Sequence, residues 1–371
     1  MKAKIESLRA ELKTLCDRID RRVQFMEVCG THTVSIFRAG LRAMLPANLR
    51  LVSGPGCPVC VTAQRHIDAA LDLGARDGVI VATYGDMMRV PGRGGSLEKL
   101  RAAGAQIRII NSARTALQLA RENPDEQVVF LAVGFETTAP ATAATVLEAE
   151  RAGVTNFSVL MCHKLIVPAM LALLEAGDVP LDGFLCPGHV SVIIGASAYR
   201  PIVERHRKAC VVAGFEPQQV LSGVARLLRQ LADKQAVLEN VYAAVVSDDG
   251  NPVALNLLRR VFVRADTAWR ALGMIPASGF ELAPAYQHFD ALRRFEIELG
   301  EDEDNPACRC GEVIQGKTEP AACALFANEC TPATPVGPCM VSSEGTCAAW
   351  YKYHRATGAV AAETAVREGT P

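Results

Sequence analysis

The chain is predicted to be an α/β protein, with two parallel-sheet units whose strand ends face a cleft and a smaller C-terminal module organised by a metal. Three observations predict this. Short β-rich apolar runs alternate with helical patterns from about residue 23 to 262, glycine-rich and reactive residues sit just past those runs, and six of thirteen cysteines crowd into residues 308–347. Strands that alternate with helices form parallel sheets covered on both faces, the Rossmann-like arrangement, and 371 residues suffice for two such units.

The elements follow in order. Residues 1–20 place Ile5, Leu8, Leu12, Leu15 and Ile19 three and four apart, an amphipathic helix rather than a signal peptide. Strands are expected at 23–28, 50–53, 78–83, 107–110 and 128–133 in a first unit spanning 1–145. A second unit, 146–265, is expected to hold strands at 157–161, 183–185, 210–213 and 241–246, with a helix at 217–234. Gly-Phe-Glu at Gly134 and again at Gly214 is a faint echo between the halves, weakened by a third copy at Gly279 without a comparable strand before it. After about residue 265 the rhythm fails, and an acidic stretch at 298–304 leads into a Pro-, Gly- and Cys-rich third domain, 266–371.

Composition narrows the function. Thirty-nine Lys and Arg against forty Asp and Glu leave a net charge of −1, and only 5% of residues are aromatic. Neither the basic footprint nor the stacking rings of a nucleic-acid binder are present. No run of about 18 uncharged apolar residues occurs, so no membrane span is expected and the protein is placed in the cytoplasm. An odd number of cysteines in a reducing compartment argues for metal or redox chemistry.

The reactive residues divide into two groups. Cys29 and His32 follow the first strand, and Cys57-Pro58-Val59-Cys60 follows the second at the start of a helical pattern, where thiolates are favoured. Thiolates and an imidazole from adjacent strand ends can converge on one soft metal ion, since ligands bind beyond the carboxyl ends of parallel strands. Cys16, Cys162 and Cys210 read as buried inert thiols. Glu136, His163, Lys164 and His189 also follow strands, where each is as readily a cap or a satisfied core group as a ligand. The Gly85–Gly95 stretch matches neither a dinucleotide fingerprint nor a Walker A loop, so no nucleotide is indicated. In the tail, Cys308, Cys310, Cys323, Cys330, Cys339 and Cys347 are too many and too irregular for a simple zinc site. Four thiolates holding an iron-sulfur cluster, with two left as a dithiol couple, suit the pattern better.

Together these motifs resemble the HypD family of hydrogenase maturation proteins. The resemblance rests on CGTHT at Cys29, GPGCPVC at Gly54, GFETTAP at Gly134, HKLIVPA at His163, GFLCPGHVSVIIG at Gly183, GFEP at Gly214, and the tail from CRCGEVIQGK to CTPATPVGPCMVSSEGTCAAWYKY. Val167 stands where the family usually has a second proline. The resemblance implies a C-terminal 4Fe-4S cluster domain, with Cys310, Cys323, Cys330 and Cys347 as ligands and Cys308 with Cys339 as the couple, similar to ferredoxin-thioredoxin reductase. It further implies that Cys29, His32, Cys57 and Cys60 take part in assembling an iron that carries two cyanides and one carbon monoxide. Cys29 would share that iron with a small HypC-type chaperone, a HypE-type protein would supply cyanide, and Glu344 would support proton transfer near the cluster. The chain would then be an assembly scaffold with redox activity rather than a turnover enzyme. An iron-sulfur disulfide reductase and a zinc-stabilised interaction protein are the alternatives.

Overall fold

A computed structural model describes residues 2–354. Its eleven strands are β1 (Val23–Glu27), β2 (Leu49–Ser53), β3 (Val79–Thr83), β4 (Ile107–Ile109), β5 (Gln127–Gly134), β6 (Phe157–His163), β7 (Gly183–Pro187), β8 (Ala209–Ala213), β9 (Leu238–Asn240), β10 (Phe262–Trp269) and β11 (Gly273–Leu282). One sheet has the order β2-β1-β7-β8-β9 and a second the order β4-β3-β5-β6, every pairing in both being parallel, while β10 and β11 form an antiparallel ribbon.

The period of two along each strand sorts its side chains between layers. In β1, Val23 and Phe25 join an outer core with Leu12 and Leu15 of the N-terminal helix, whereas Met26 faces a central core. In β5, Phe130 and Ala132 face an outer core, whereas Val129, Leu131 and Val133 join the same central core. Each sheet thus has one face on a shared interior and the other under its own helices. The N-terminal helix (Lys2–Asp17) lies on the helix Pro217–Ala232, which ends two residues before the expected position.

The sheets do not follow a cut near residue 145, which falls inside the helix Ala139–Ala152 joining two paired neighbours, β5 and β6. The chain lays down β1 and β2, leaves to build the whole second sheet, and returns for β7–β9 because β1 offers a free edge to β7. Expectation and structure also part at two strands. Residues 241–245 form a turn, since the Asn240 side chain accepts from the Tyr242 amide and donates to the Val246 carbonyl, competing with sheet pairing. The β10–β11 ribbon was not expected: its middle carries exposed Val263, Arg264 and Asp266 and a register shift at Ala265/Thr267, which hide the alternation.

The tail beyond the ribbon consists of short helices and turns, and Val313, Ile314, Met340 and Val341 contribute to the central core. The part of the expected third domain from residue 355 onward lies outside the described residues. Among those described, no helix is long and apolar enough to cross a membrane.

Candidate functional site

Parallel sheets bind ligands where neighbouring strands send their chains in opposite directions across the sheet. In the first sheet that point lies between β1 and β7, and in the second between β3 and β5. Both switch points open into one cavity of about 310 Å³. Cys29 and Thr31 line it after β1, His189 after β7, Tyr84 and Met87 after β3, Phe135 and Thr138 after β5, with Glu344 entering from the tail.

Cys29 ends the β1 run and precedes the helix Gly30–Arg38. Two glycines let chains meet around it. A Cβ on Gly56 would lie 2.2 Å from the Cys29 nitrogen, and one on Gly30 would lie 2.4 Å from Glu344 Cβ. The Gly30 amide donates to the Gly56 carbonyl at 3.1 Å, fastening the second strand's loop onto the first. Cys29 is 8% exposed. Burial foremost, then the Glu344 carboxylate, push its thiol up to about 12, while the His32 amide pulls the other way. Beneath it lies Glu27, which accepts from the Cys29 amide at 3.1 Å and from the Thr33 hydroxyl, and whose carboxyl burial raises to about 8. Glu27 was not singled out from sequence; the available signal was an acid ending an otherwise buried strand.

His32 lies on the same helix but does not line the cavity. Its Nε2 donates to the Gly214 carbonyl at 3.0 Å, and its ring lies 4.5 Å from that of Phe215. A carbonyl only accepts, so Nδ1 keeps its lone pair, and it has no partner among the described residues. Burial lowers this imidazole to about 4, so it is neutral. Cys57 and Cys60 are joined in a disulfide at the start of the helix Pro58–Val61; Gly56, Pro58 and Val59 line the cavity, and the two cysteines are buried and do not line it.

The helix Pro338–Val341, which carries Cys339, packs on Pro58–Val61. Cys308 and Cys339 lie within hydrogen-bonding reach of Cys310, and Cys339 also of Cys347. All six tail cysteines are free thiols. Hydrogen bonds from Cys308 and then Cys339 hold Cys310 well below the usual thiol range, with Arg270 assisting. The same hydrogen bonds push Cys308 and Cys339 up. Among the described residues, no three His, Cys, Asp or Glu side chains are arranged to hold a metal ion.

The Ser342–Gly345 turn joins these two regions. Ser342 and Ser343 bond to Asp86 after β3, the Thr31 hydroxyl donates to Glu344 Oε1 at 2.7 Å, and a Cβ on Gly345 would strike the Cys339 carbonyl. Glu344 therefore delivers its carboxylate to the Cys29 cavity. Of the remaining residues, His189 faces that cavity and stacks on Phe215 with centroids 3.9 Å apart. His163 bonds to the Thr142 hydroxyl at 2.8 Å. Buried Lys164 donates to Thr267 Oγ1 at 2.8 Å and is lowered to about 8 by burial. Glu136 turns away into a separate pocket. Cys16, Cys162 and Cys210 are buried, burial raising the first two to about 11 and 12.

This is a doubly wound α/β protein with a thiol at the cavity its two sheets share and a cysteine-rich tail folded back onto that cavity. A sequence profile described as "HypD: Hydrogenase formation hypA family" matches residues 3–354. The chain is 47% identical over 349 residues to "Hydrogenase maturation factor HypD" of Azotobacter vinelandii, covering 92% of each chain. It is 46% identical over 352 residues to the protein of that name from Escherichia coli strain K12, covering 95% of this chain and 94% of that one. The Rhodobacter capsulatus relative of the same name is 44% identical over 363 residues, covering 95% and 96%. The chain belongs to the HypD family of hydrogenase maturation proteins.

Proposed function

We propose that this chain is the scaffold on which the Fe(CN)2CO centre of [NiFe]-hydrogenase is put together. The observation that carries the reading is Cys29 at the cavity shared by both topological switch points, with Glu344 tied to the next turn through Thr31. Iron is the cargo, held by Cys29 together with a HypC-type chaperone, with cyanide arriving from a HypE-type protein. A thiol pushed up to about 12 loses its proton to a nearby base only when a strong Lewis acid takes the sulfur lone pair, and a soft thiolate suits low-spin ferrous iron. Glu344, whose Oε1 is occupied by Thr31, keeps Oε2 to accept that proton. His32, neutral with its Nδ1 lone pair kept, has the form in which imidazole binds metal.

The tail donor set fits a 4Fe-4S cluster in its chemistry: soft, free thiols, with Cys310 held well below the usual thiol range by hydrogen bonds from Cys308 and Cys339. Cys310, Cys323, Cys330 and Cys347 would hold it, and Cys308 and Cys339 would serve as the couple. Such a cluster supplies single electrons. The helix that carries Cys339 packs on the helix that carries the Cys57–Cys60 disulfide, which supports thiol exchange between that disulfide and the tail couple. That disulfide also favours a second reading, an iron-sulfur disulfide reductase acting on a protein partner.

The test is metal and sulfide analysis of anaerobically purified protein, with infrared spectra after co-expression with a HypC-type partner. About four iron and four sulfide per chain, with cyanide and carbon monoxide bands that vanish in Cys29→Ala, are expected. A cluster without such bands points to the reductase. Zinc without sulfide refutes both.

A further inference from the structure

A second cavity, of about 680 Å³, lies on the other side of the Gly134–Thr138 turn from Cys29, between the helices Ile166–Ala176, Arg200–His206 and Pro252–Val261 and the β10–β11 ribbon. It has the size of a small-molecule site. Its walls are apolar, with Leu165, Leu258 and Phe262 buried. Two features are unusual for an apolar cavity. At its floor Glu136, 4% exposed, spends Oε1 on the Ile166 amide at 3.0 Å, while Oε2 is buried with no partner among the described residues. At its rim stand three exposed arginines, Arg205, Arg259 and Arg264. Arg259 bonds only within its own helix, and Arg205 and Arg264 have no hydrogen bond or ion pair among the described residues. Elsewhere on this chain arginines are commonly paired with carboxylates, as Arg65 is with Asp302 and Arg270 with Asp304.

A buried carboxyl oxygen without a partner costs free energy that a bound hydrogen-bonding group would return. Three guanidiniums lining one pocket, none in an ion pair and only Arg264 close enough for its charge to act on the Glu136 carboxyl, attract an anion, and they do so through a planar fork suited to carboxylate. We propose that this cavity binds a free organic acid, with an apolar body along the Leu165–Leu258–Phe262 wall, a carboxylate at Arg205 and Arg264, and one hydrogen-bonding group meeting Glu136 Oε2. Burial raises the Glu136 carboxyl to about 7, so at neutral pH it both donates and accepts, which suits a hydroxyl. The site shares the Gly134–Thr138 turn with the Cys29 cavity, but the argument for it does not depend on what that cavity assembles.

The experiment is calorimetric titration of the full chain with 10-hydroxydecanoate, and with 1,10-decanediol, which keeps the body and lacks the anion. Saturable binding is expected, about tenfold weaker for the diol and about tenfold weaker in Arg264→Gln or Arg205→Gln, the loss of one charge-assisted hydrogen bond at a partly exposed rim. Ala198→Phe, which fills the pocket from one wall, abolishes binding of both compounds. Should Ala198→Phe fail to fold, the rim variants decide the matter alone. Absence of binding, equal binding of acid and diol, or indifference to both arginine substitutions overturns the proposal.

Discussion

Replacing Gly56 by Ala tests how the Cys29 site is held. The new methyl would sit 2.2 Å from the Cys29 nitrogen and from the Val28 carbonyl carbon, and both are backbone atoms that no rotamer change can move. Relief requires the Gly54–Cys57 loop to back away from the end of β1, which breaks the 3.1 Å bond from the Gly30 amide to the Gly56 carbonyl. Overpacking costs about 1–3 kcal/mol and the lost hydrogen bond about 1 kcal/mol, so the variant should lose about 2–4 kcal/mol. Gly94→Ala is the control, because its Cβ meets nothing within 4 Å and its φ is not in the left-handed region. The assay is urea denaturation followed by circular dichroism, with alkylation of Cys29 mapped by mass spectrometry in native buffer. A lowered midpoint and faster Cys29 alkylation are expected for Gly56→Ala alone. A midpoint equal to that of Gly94→Ala, with Cys29 still protected, would show that the loop does not bear on the β1 turn and would refute the reasoning.

Two further outcomes follow from buried titratable groups. Because the Cys29 thiol is pushed up to about 12, its alkylation rate should climb about tenfold per pH unit from 7 to 10 without a plateau, and Glu344→Gln, which removes a neighbouring negative charge, should raise the rate at every pH; a plateau near pH 8.5 would contradict this. Glu136 binds a proton more tightly folded than unfolded, about 7 against 4.5, so the stabilisation it contributes is full below pH 4.5 and is lost as pH rises through 7. Between pH 5 and 8 the native chain should therefore lose about 2.5 kcal/mol more stability than Glu136→Gln, measured by urea denaturation at each pH; parallel curves would refute it.

Much of the site was legible because parallel sheets put ligands at strand ends, and the strand runs before Cys29, Tyr84, Phe135 and His189 are short, apolar and bounded by glycine. The ribbon was not legible, since a two-stranded element half in solvent follows neither the alternating nor the continuous apolar pattern. Nor was the role of Glu27, which reads as one acid among forty until its neighbours turn out to be the Cys29 amide and the Thr33 hydroxyl.

By itself the sequence determined the class of fold, the family, and which residue types could carry thiol chemistry, because hydrophobic period and motif spacing are local properties of the chain. Only the tertiary structure decided which strand ends meet. Pairing of β1 with β7 across more than 150 residues brings two switch points to one cavity, sets His32 against Gly214 rather than into that cavity, and carries Glu344 from the tail to Thr31. Contacts of that range are chosen by burial of the sheet faces against a common core, a free energy that no segment of the chain contains on its own.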